Sequence, residues 1–178
     1  MRSHHFYVIT GASGAGKSTL LAALSEIGYS TVPEVARAVM REQLECNGSI
    51  LPSVDRTKFM KEVLARSVQD FEAAQFLKPP VFFDRGIPEW LRLLGQDATP
   101  RHMAAAHCRY ADTVLLAEPW QEIYVCDRER HASFERAARS YEPTVSAYVD
   151  AGYRTCVIPK VSVQERVAFV LAQVEAVA

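Results

Sequence analysis

The sequence predicts an α/β domain, a mainly parallel sheet with helices on both faces. Three observations carry that expectation. Short apolar runs alternate with longer segments of helical periodicity, the first run is apolar throughout, and a glycine-rich loop joins it to the first helical segment.

Phe6–Thr10, "FYVIT", suits a strand buried on both faces, and Leu20, Leu21, Leu24 and Ile27 then recur at helical spacing until Gly28 stops them. "YSTV" reads as a second strand ending at Pro33-Glu34. The helix after it carries Val35, Val39, Met40 and Leu44 and stops at Asn47-Gly48. Ser53 or Asp55 is placed to cap a longer helix through Phe59, Met60, Val63, Leu64, Phe71 and Leu77, which Pro79-Pro80 terminates. "VFFD" is the third strand. Thr99-Pro100 has the chemistry of a further helix start, and "TVLLAE" gives the fourth strand. From His131 to Ala151 apolar residues recur at helical spacing, with Pro143 expected to kink or divide that helix. Gly152 ends it, "YRTCVI" supplies the fifth strand, and Val163, Val167, Val170, Leu171 and Val174 mark a last amphipathic helix. No repeat or low-complexity tract interrupts the order, so residues 1–178 are expected to form one domain.

Composition narrows the function. With 20 basic and 21 acidic residues the chain has a net charge of -1, without the basic footprint of a duplex-binding protein. No apolar run approaches a membrane span, and Gly11 interrupts any signal-peptide core, so the expectation is a soluble, cytoplasmic protein. Cys46, Cys108, Cys126 and Cys156 form no CxxC pair, and His102 and His107 miss the spacing of a helical metal pair.

The loop carries the strongest signal. Gly11-Ala12-Ser13-Gly14-Ala15-Gly16-Lys17-Ser18 fits GxxxxGK[ST], after a strand and before a helix, and Thr19 continues it. Its glycines permit a backbone that wraps phosphate oxygens with N–H groups, helped by the positive helix terminus. Lys17 is expected to neutralise the terminal phosphates and Ser18 to coordinate a bridging Mg2+, which makes ATP and magnesium the expected cofactors. Asn47 is the only asparagine, which excludes the NKxD guanine-reading motif and the catalytic-loop asparagine of protein kinases.

The other strand ends refine this. Asp84, closing the third strand, is placed to hold the magnesium shell with Ser18, and Arg85 to reach a phosphate across the cleft. Glu34, closing the second strand, is a candidate base for an acceptor hydroxyl, with a solvated first-turn carboxylate as the alternative. Arg37, one turn on, points the same way. Arg128, Arg130, Arg136 and Arg139 fall within twelve residues. That segment, about 120–142, suits a lid whose arginines close over phosphates; Arg128 and Arg130 are the favoured pair, and the other two read as a solvated helix face. Trp90 and Trp120 follow strand ends and are available either to stack a base or to pack the core.

Taken in order, "GASGAGKST", "PEVAR", "FFDRGIPE", "LLAEPW", Asp127 to Arg130, "YVDAGYRTCVIP" and "SVQERVAFVL" resemble the small stand-alone AAA-domain ATPases. These are relatives of the ribosylnicotinamide kinase domain and, more distantly, of the deoxynucleoside and thymidylate kinases. The resemblance spans nearly the whole chain. It implies a three-layer P-loop NTPase fold with a five-stranded parallel sheet in the order 2-3-1-4-5. It also implies roles for Glu34, Asp84, Arg85, Arg128 and Arg130 as in nucleoside kinases, and a Pro159–Val163 loop packed against adenine.

The expected activity is transfer of phosphate from ATP to a small nucleoside- or nucleotide-like acceptor. In that scheme Lys17, Glu34, Asp84, Arg85, Arg128 and Arg130 form the catalytic set. A regulatory ATPase acting through a protein partner, and a binding module without chemistry, stay open, as does a homodimer.

Overall fold

The structure is a computed structural model and describes residues 3–125 and 133–175. Its centre is a parallel five-stranded sheet in the order β2-β3-β1-β4-β5. The strands are β1 (Phe6–Gly11), β2 (Ser30–Val32), β3 (Val81–Asp84), β4 (Thr113–Ala117) and β5 (Arg154–Val157). Both the fold class and the strand order expected from the sequence are found.

Alternation along the strands builds two cores. Phe6 and Val8 of β1, with Val81 and Phe83 of β3, face one side, where they meet α2 (Val35–Glu45), α3 (Arg56–Ala73), α4 (Ile87–Leu94) and α7 (Tyr141–Asp150). Tyr7, Ile9 and Phe82 face the other, against α1 (Lys17–Glu26) and α8 (Val163–Glu175). Phe71 of α3 anchors the first core, with ring centroids 5.1 Å from both Phe6 and Tyr110 in edge-to-face contact. Each such ring contributes about 1.5–3 kcal/mol by leaving water.

Most helix boundaries fall where the sequence put them. Asp55 caps α3, its carboxylate accepting from Lys58 N at 2.9 Å, and Thr99 caps the one-turn α5 (Pro100–Met103). α3 itself stops at Ala73, and a 3-10 turn covers Ala74–Phe76, so the helix is shorter than its apolar spacing suggests. The helical segment before Gly152 divides at Ser140 into α6 (Phe134–Arg139) and α7. Pro143 thus sits in the first turn of α7, where the missing N–H breaks no helical bond. α4 has no counterpart among the elements predicted above. Arg85, in the left-handed region, breaks the extended chain, and Pro88 lies in the first turn of the helix, whose short length hides its periodicity.

Two backbone contacts position the site. Ala12 N donates to Ala117 O at 3.0 Å, tying the glycine loop to the end of β4, and Arg85 N donates to Ile9 O at 3.0 Å, carrying the β3 ladder one residue past the strand. Gly11 cannot be replaced here without moving β4, because a Cβ would lie 2.1 Å from Ala117 O and φ is +123°. No helix among the described residues is long and apolar enough to cross a membrane.

Candidate active site

The carboxyl ends of β1, β2 and β3 converge on a cleft of about 690 Å³ above the glycine loop. Ser13, Gly14, Gly16, Lys17, Ser18 and Thr19 line it, facing Glu34, Arg37 and Arg85. Parallel strands with helices on both sides leave their free backbone ends at this edge, and α1 adds the positive end of its dipole. α1 begins directly at Lys17, after Gly16 in the left-handed region at φ 74°, so the loop amides and the helix terminus share one focus.

Lys17 is buried, and its ammonium donates to Ala12 O at 2.7 Å and Gly11 O at 3.4 Å. Burial, helped by the charge of Arg85, pulls its pKa down to about 8, although Asp84, Glu34 and Glu89 work the other way. A triphosphate bound beside Lys17 would supply negative charge and raise that pKa again. The sign for binding follows: the free protein loses the ammonium above pH ~8, so tight binding then requires proton uptake. Triphosphate affinity should therefore be flat in Lys17 up to pH ~7.5 and fall about tenfold per unit above pH ~8.5, with about half a proton taken up at pH 8. Calorimetry in buffers of different ionisation enthalpy measures both; affinity constant to pH ~9.5 would refute the Lys17 assignment.

Asp84 ends β3 in register with Ile9 and is 5% exposed. Ser18 Oγ donates to its Oδ2 at 3.3 Å, while Oδ1 is buried without a hydrogen-bond partner among the described residues. Burial pushes the Asp84 carboxyl up against the opposing pull of Lys17. A buried carboxylate with an orphaned oxygen, beside a serine hydroxyl and a phosphate loop, fits a hard divalent cation such as Mg2+. No group of three or more His, Cys, Asp or Glu suited to a metal occurs among the described residues, so a cation here would draw on phosphate and water as well.

Glu34 occupies the N-cap position of α2, yet its side chain makes no cap hydrogen bond. It accepts instead from Arg85 Nε at 3.2 Å and lies 3.7 Å from Arg37 Nε. That geometry sets aside the solvated first-turn alternative. Burial works to raise its pKa, but Arg85, with Lys17 and Arg37, outweighs it and holds the carboxyl below its usual range.

Arg85 stands at φ 68°, a backbone conformation costing a non-glycine residue about 1–3 kcal/mol. Glu34 holds one side of its guanidinium and Glu89 Oε2 the other, at 2.7 Å from Nη1. Glu89, 4% exposed, also accepts from Tyr148 OH at 2.8 Å and from Thr10 Oγ1. It therefore ties Arg85 to the strand that feeds the glycine loop and to α7. Nothing in the local sequence marks Glu89, because its partner Thr10 lies 79 positions away.

Arg166 was also missed. From α8 its guanidinium donates to Ala15 O at 3.1 Å and Gly16 O at 3.5 Å, with its carbon 5.8 Å from the Trp120 ring centroid. It is 3% exposed and bridges the glycine loop to the apolar end of the cleft, where Trp120, Ile123, Val161 and Val163 lie. Trp120 thus lines the cleft, whereas Trp90, 5% exposed, belongs to the core. Arg136 and Arg139 are exposed on α6, and the proposed lid arginines Arg128 and Arg130 lie outside the described residues.

Among protein families, the model described as an AAA domain matches residues 6–166. This chain belongs to that AAA-domain family. Solved structures agree on the architecture. Deoxyadenosine kinase from M. mycoides is 13% identical, with a TM-score of 0.60, and the alignment covers 97% of this chain and all (100%) of that one. The NadR protein is 17% identical with a TM-score of 0.71, covering 97% of this chain and 52% of that one, so the AAA-domain chain spans about half of NadR. Thymidylate kinase from Ehrlichia chaffeensis is 17% identical with a TM-score of 0.54, covering 96% and 98%. At these identities the likeness establishes the P-loop kinase fold. Comparison with curated proteins found no match.

Proposed function

We propose that this AAA-domain protein is an ATP- and Mg2+-dependent phosphotransferase acting on a small nucleoside- or nucleotide-like acceptor. The observation that carries the reading is the placement of Glu34 and Arg85 across one cleft from Lys17 and Ser18, with Asp84 hydrogen-bonded to Ser18. A binding module without chemistry needs the loop and the metal residues alone, whereas a carboxylate and a guanidinium held opposite them serve group transfer.

In this reading the loop amides and Lys17 hold the β- and γ-phosphates, and Trp120 and the Val161–Val163 segment pack the base. Ser18 and Asp84 would hold the cation, which would supply charge neutralisation. Glu34 accepts a hydrogen bond from the acceptor hydroxyl and takes its proton as transfer proceeds. Arg85, kept in place by Glu89, faces the charge that develops on the transferred group. Arg128 and Arg130 are proposed to close over the same phosphates. The kinase names of the structural neighbours support this class of chemistry, and the deoxyadenosine kinase structure holds dCMP and dCDP.

The test is a metabolite panel with Mg2+ and ATP, scored for ADP release. Slow hydrolysis by the protein alone, rising to stoichiometric transfer with one class of acceptor, is the expected result. Stimulation only by a macromolecule would point instead to a regulatory ATPase.

A further inference from the structure

A second cleft, of about 520 Å³, opens from the same pair of residues: Glu34 and Arg85 line both it and the phosphate cleft. An acceptor hydroxyl presented between Glu34 and Arg85 has room for the rest of its molecule in this second cleft, whereas the cavity on the far side of Glu34 is lined by Arg37 and Asp84 and not by Arg85. Resting on the phosphotransferase reading, we propose that the acceptor is an anion, a hydroxylated metabolite whose phosphate or carboxylate is held by Arg56 and Arg92.

Arg56 carries the argument furthest. It is the first residue of α3, where the helix dipole disfavours a cation, and the neighbouring acid, Asp55, spends its carboxylate on capping Lys58 N. Among the described residues it has no carboxylate partner, and its one hydrogen bond is a long one, 3.4 Å, to Leu93 O. An exposed guanidinium that forms no ion pair among the described residues is poised for a ligand anion. Arg92 lines the cleft beside it and keeps a pair with Asp150 at 2.8 Å, both side chains being solvated at 44% and 68% exposure. A solvated pair of that kind is worth little and yields to a better partner.

The spacing is set by α4. Glu89, which holds Arg85, and Leu93, which holds Arg56, are four residues apart on one helix, about 6 Å along its axis. The cleft thus places its cationic end roughly one turn from its catalytic end. A neutral nucleoside seated by base stacking finds less here, because Trp90 in the wall is committed to the core at 5% exposure.

The experiment titrates matched pairs by calorimetry, with and without Mg2+ and a non-hydrolysable ATP analogue. The pairs are ribose 5-phosphate against ribose, a nucleoside 5′-monophosphate against its nucleoside, and gluconate against glucose. The anionic member of at least one pair should bind about tenfold tighter or more, the phosphate and carboxylate arms telling which oxyanion is preferred. Arg56→Gln should remove that preference, Arg92→Gln should weaken it, and Arg56→Lys should keep part of it. Affinity for the ATP analogue should stay unchanged in all three variants. Equal or tighter binding of the neutral members, a preference that survives Arg56→Gln, or no binding of any anionic member would overturn the proposal. Loss of analogue binding by the wild type would instead overturn the phosphate-loop reading, and the titrations without nucleotide still judge the acceptor cleft.

Discussion

Replacing Lys17 with alanine should reduce phosphoryl transfer by roughly 10²–10³ or more and weaken Mg-ATP binding, while leaving the protein folded. The two halves of that expectation have separate causes. In function, Lys17 is the one described cation of the loop sequence, fixed by Ala12 O at 2.7 Å, so its loss would leave the terminal phosphates facing amides alone on the loop side of the cleft. In stability, its depressed pKa means that the fold disfavours the charged form. For a cation whose folded pKa of about 8 lies below its ordinary value of 10.5, the penalty is present below pH 8. Between those two values the unfolded chain holds more protons than the native one, and stability rises with pH. The wild type should show that rise and the alanine variant should lack it, with a melting temperature at neutral pH equal to or above that of the wild type. Normal turnover in a folded variant, or a variant that unfolds, contradicts this account.

The part of this site legible in the sequence is the part whose logic is local. The loop from Gly11 to Thr19 is a contiguous pattern whose conformational demands are met by its own glycines, so its role is visible without any partner. Asp84, Arg85 and Glu34 were legible one step further out, because strand ends in a parallel sheet share an edge whatever their order. Glu89 and Arg166 were not. Each looks like an ordinary charged residue on a helix, and each acquires meaning only from a residue 79 or 151 positions away. The same holds for α4, too short to display a period yet decisive in placing Glu89 and the edge of the second cleft. Arg56 illustrates the converse: a helix start is legible there in the sequence, but only the folded chain reveals that no acid among the described residues pairs with the cation.

Glu34→Gln should lower transfer by about 10²–10⁴ while sparing ATP affinity at neutral pH. The amide keeps the shape of the side chain and one acceptor oxygen, and Arg85 remains held by Glu89 at 2.7 Å, so the variant removes the carboxylate without releasing the guanidinium. That separation makes the test clean, because an effect on kcat with little change in the KM for ATP isolates the acceptor step. A complication sharpens the expectation. With its pKa held down by Arg85, Lys17 and Arg37 against the effect of burial, Glu34 is a weak base in the free protein. An anion that engages Arg85, whether the transferred phosphate or a group on the acceptor, draws that cation away and lets burial dominate. The carboxylate would then be more basic with the cleft filled than in the free protein. Glu34→Asp, retaining the charge on a shorter arm, should recover part of the transfer rate that Glu34→Gln loses. If a folded Glu34→Gln protein transfers phosphate at the wild-type rate, the carboxylate is not the base, and Arg85 must act with Glu89 alone.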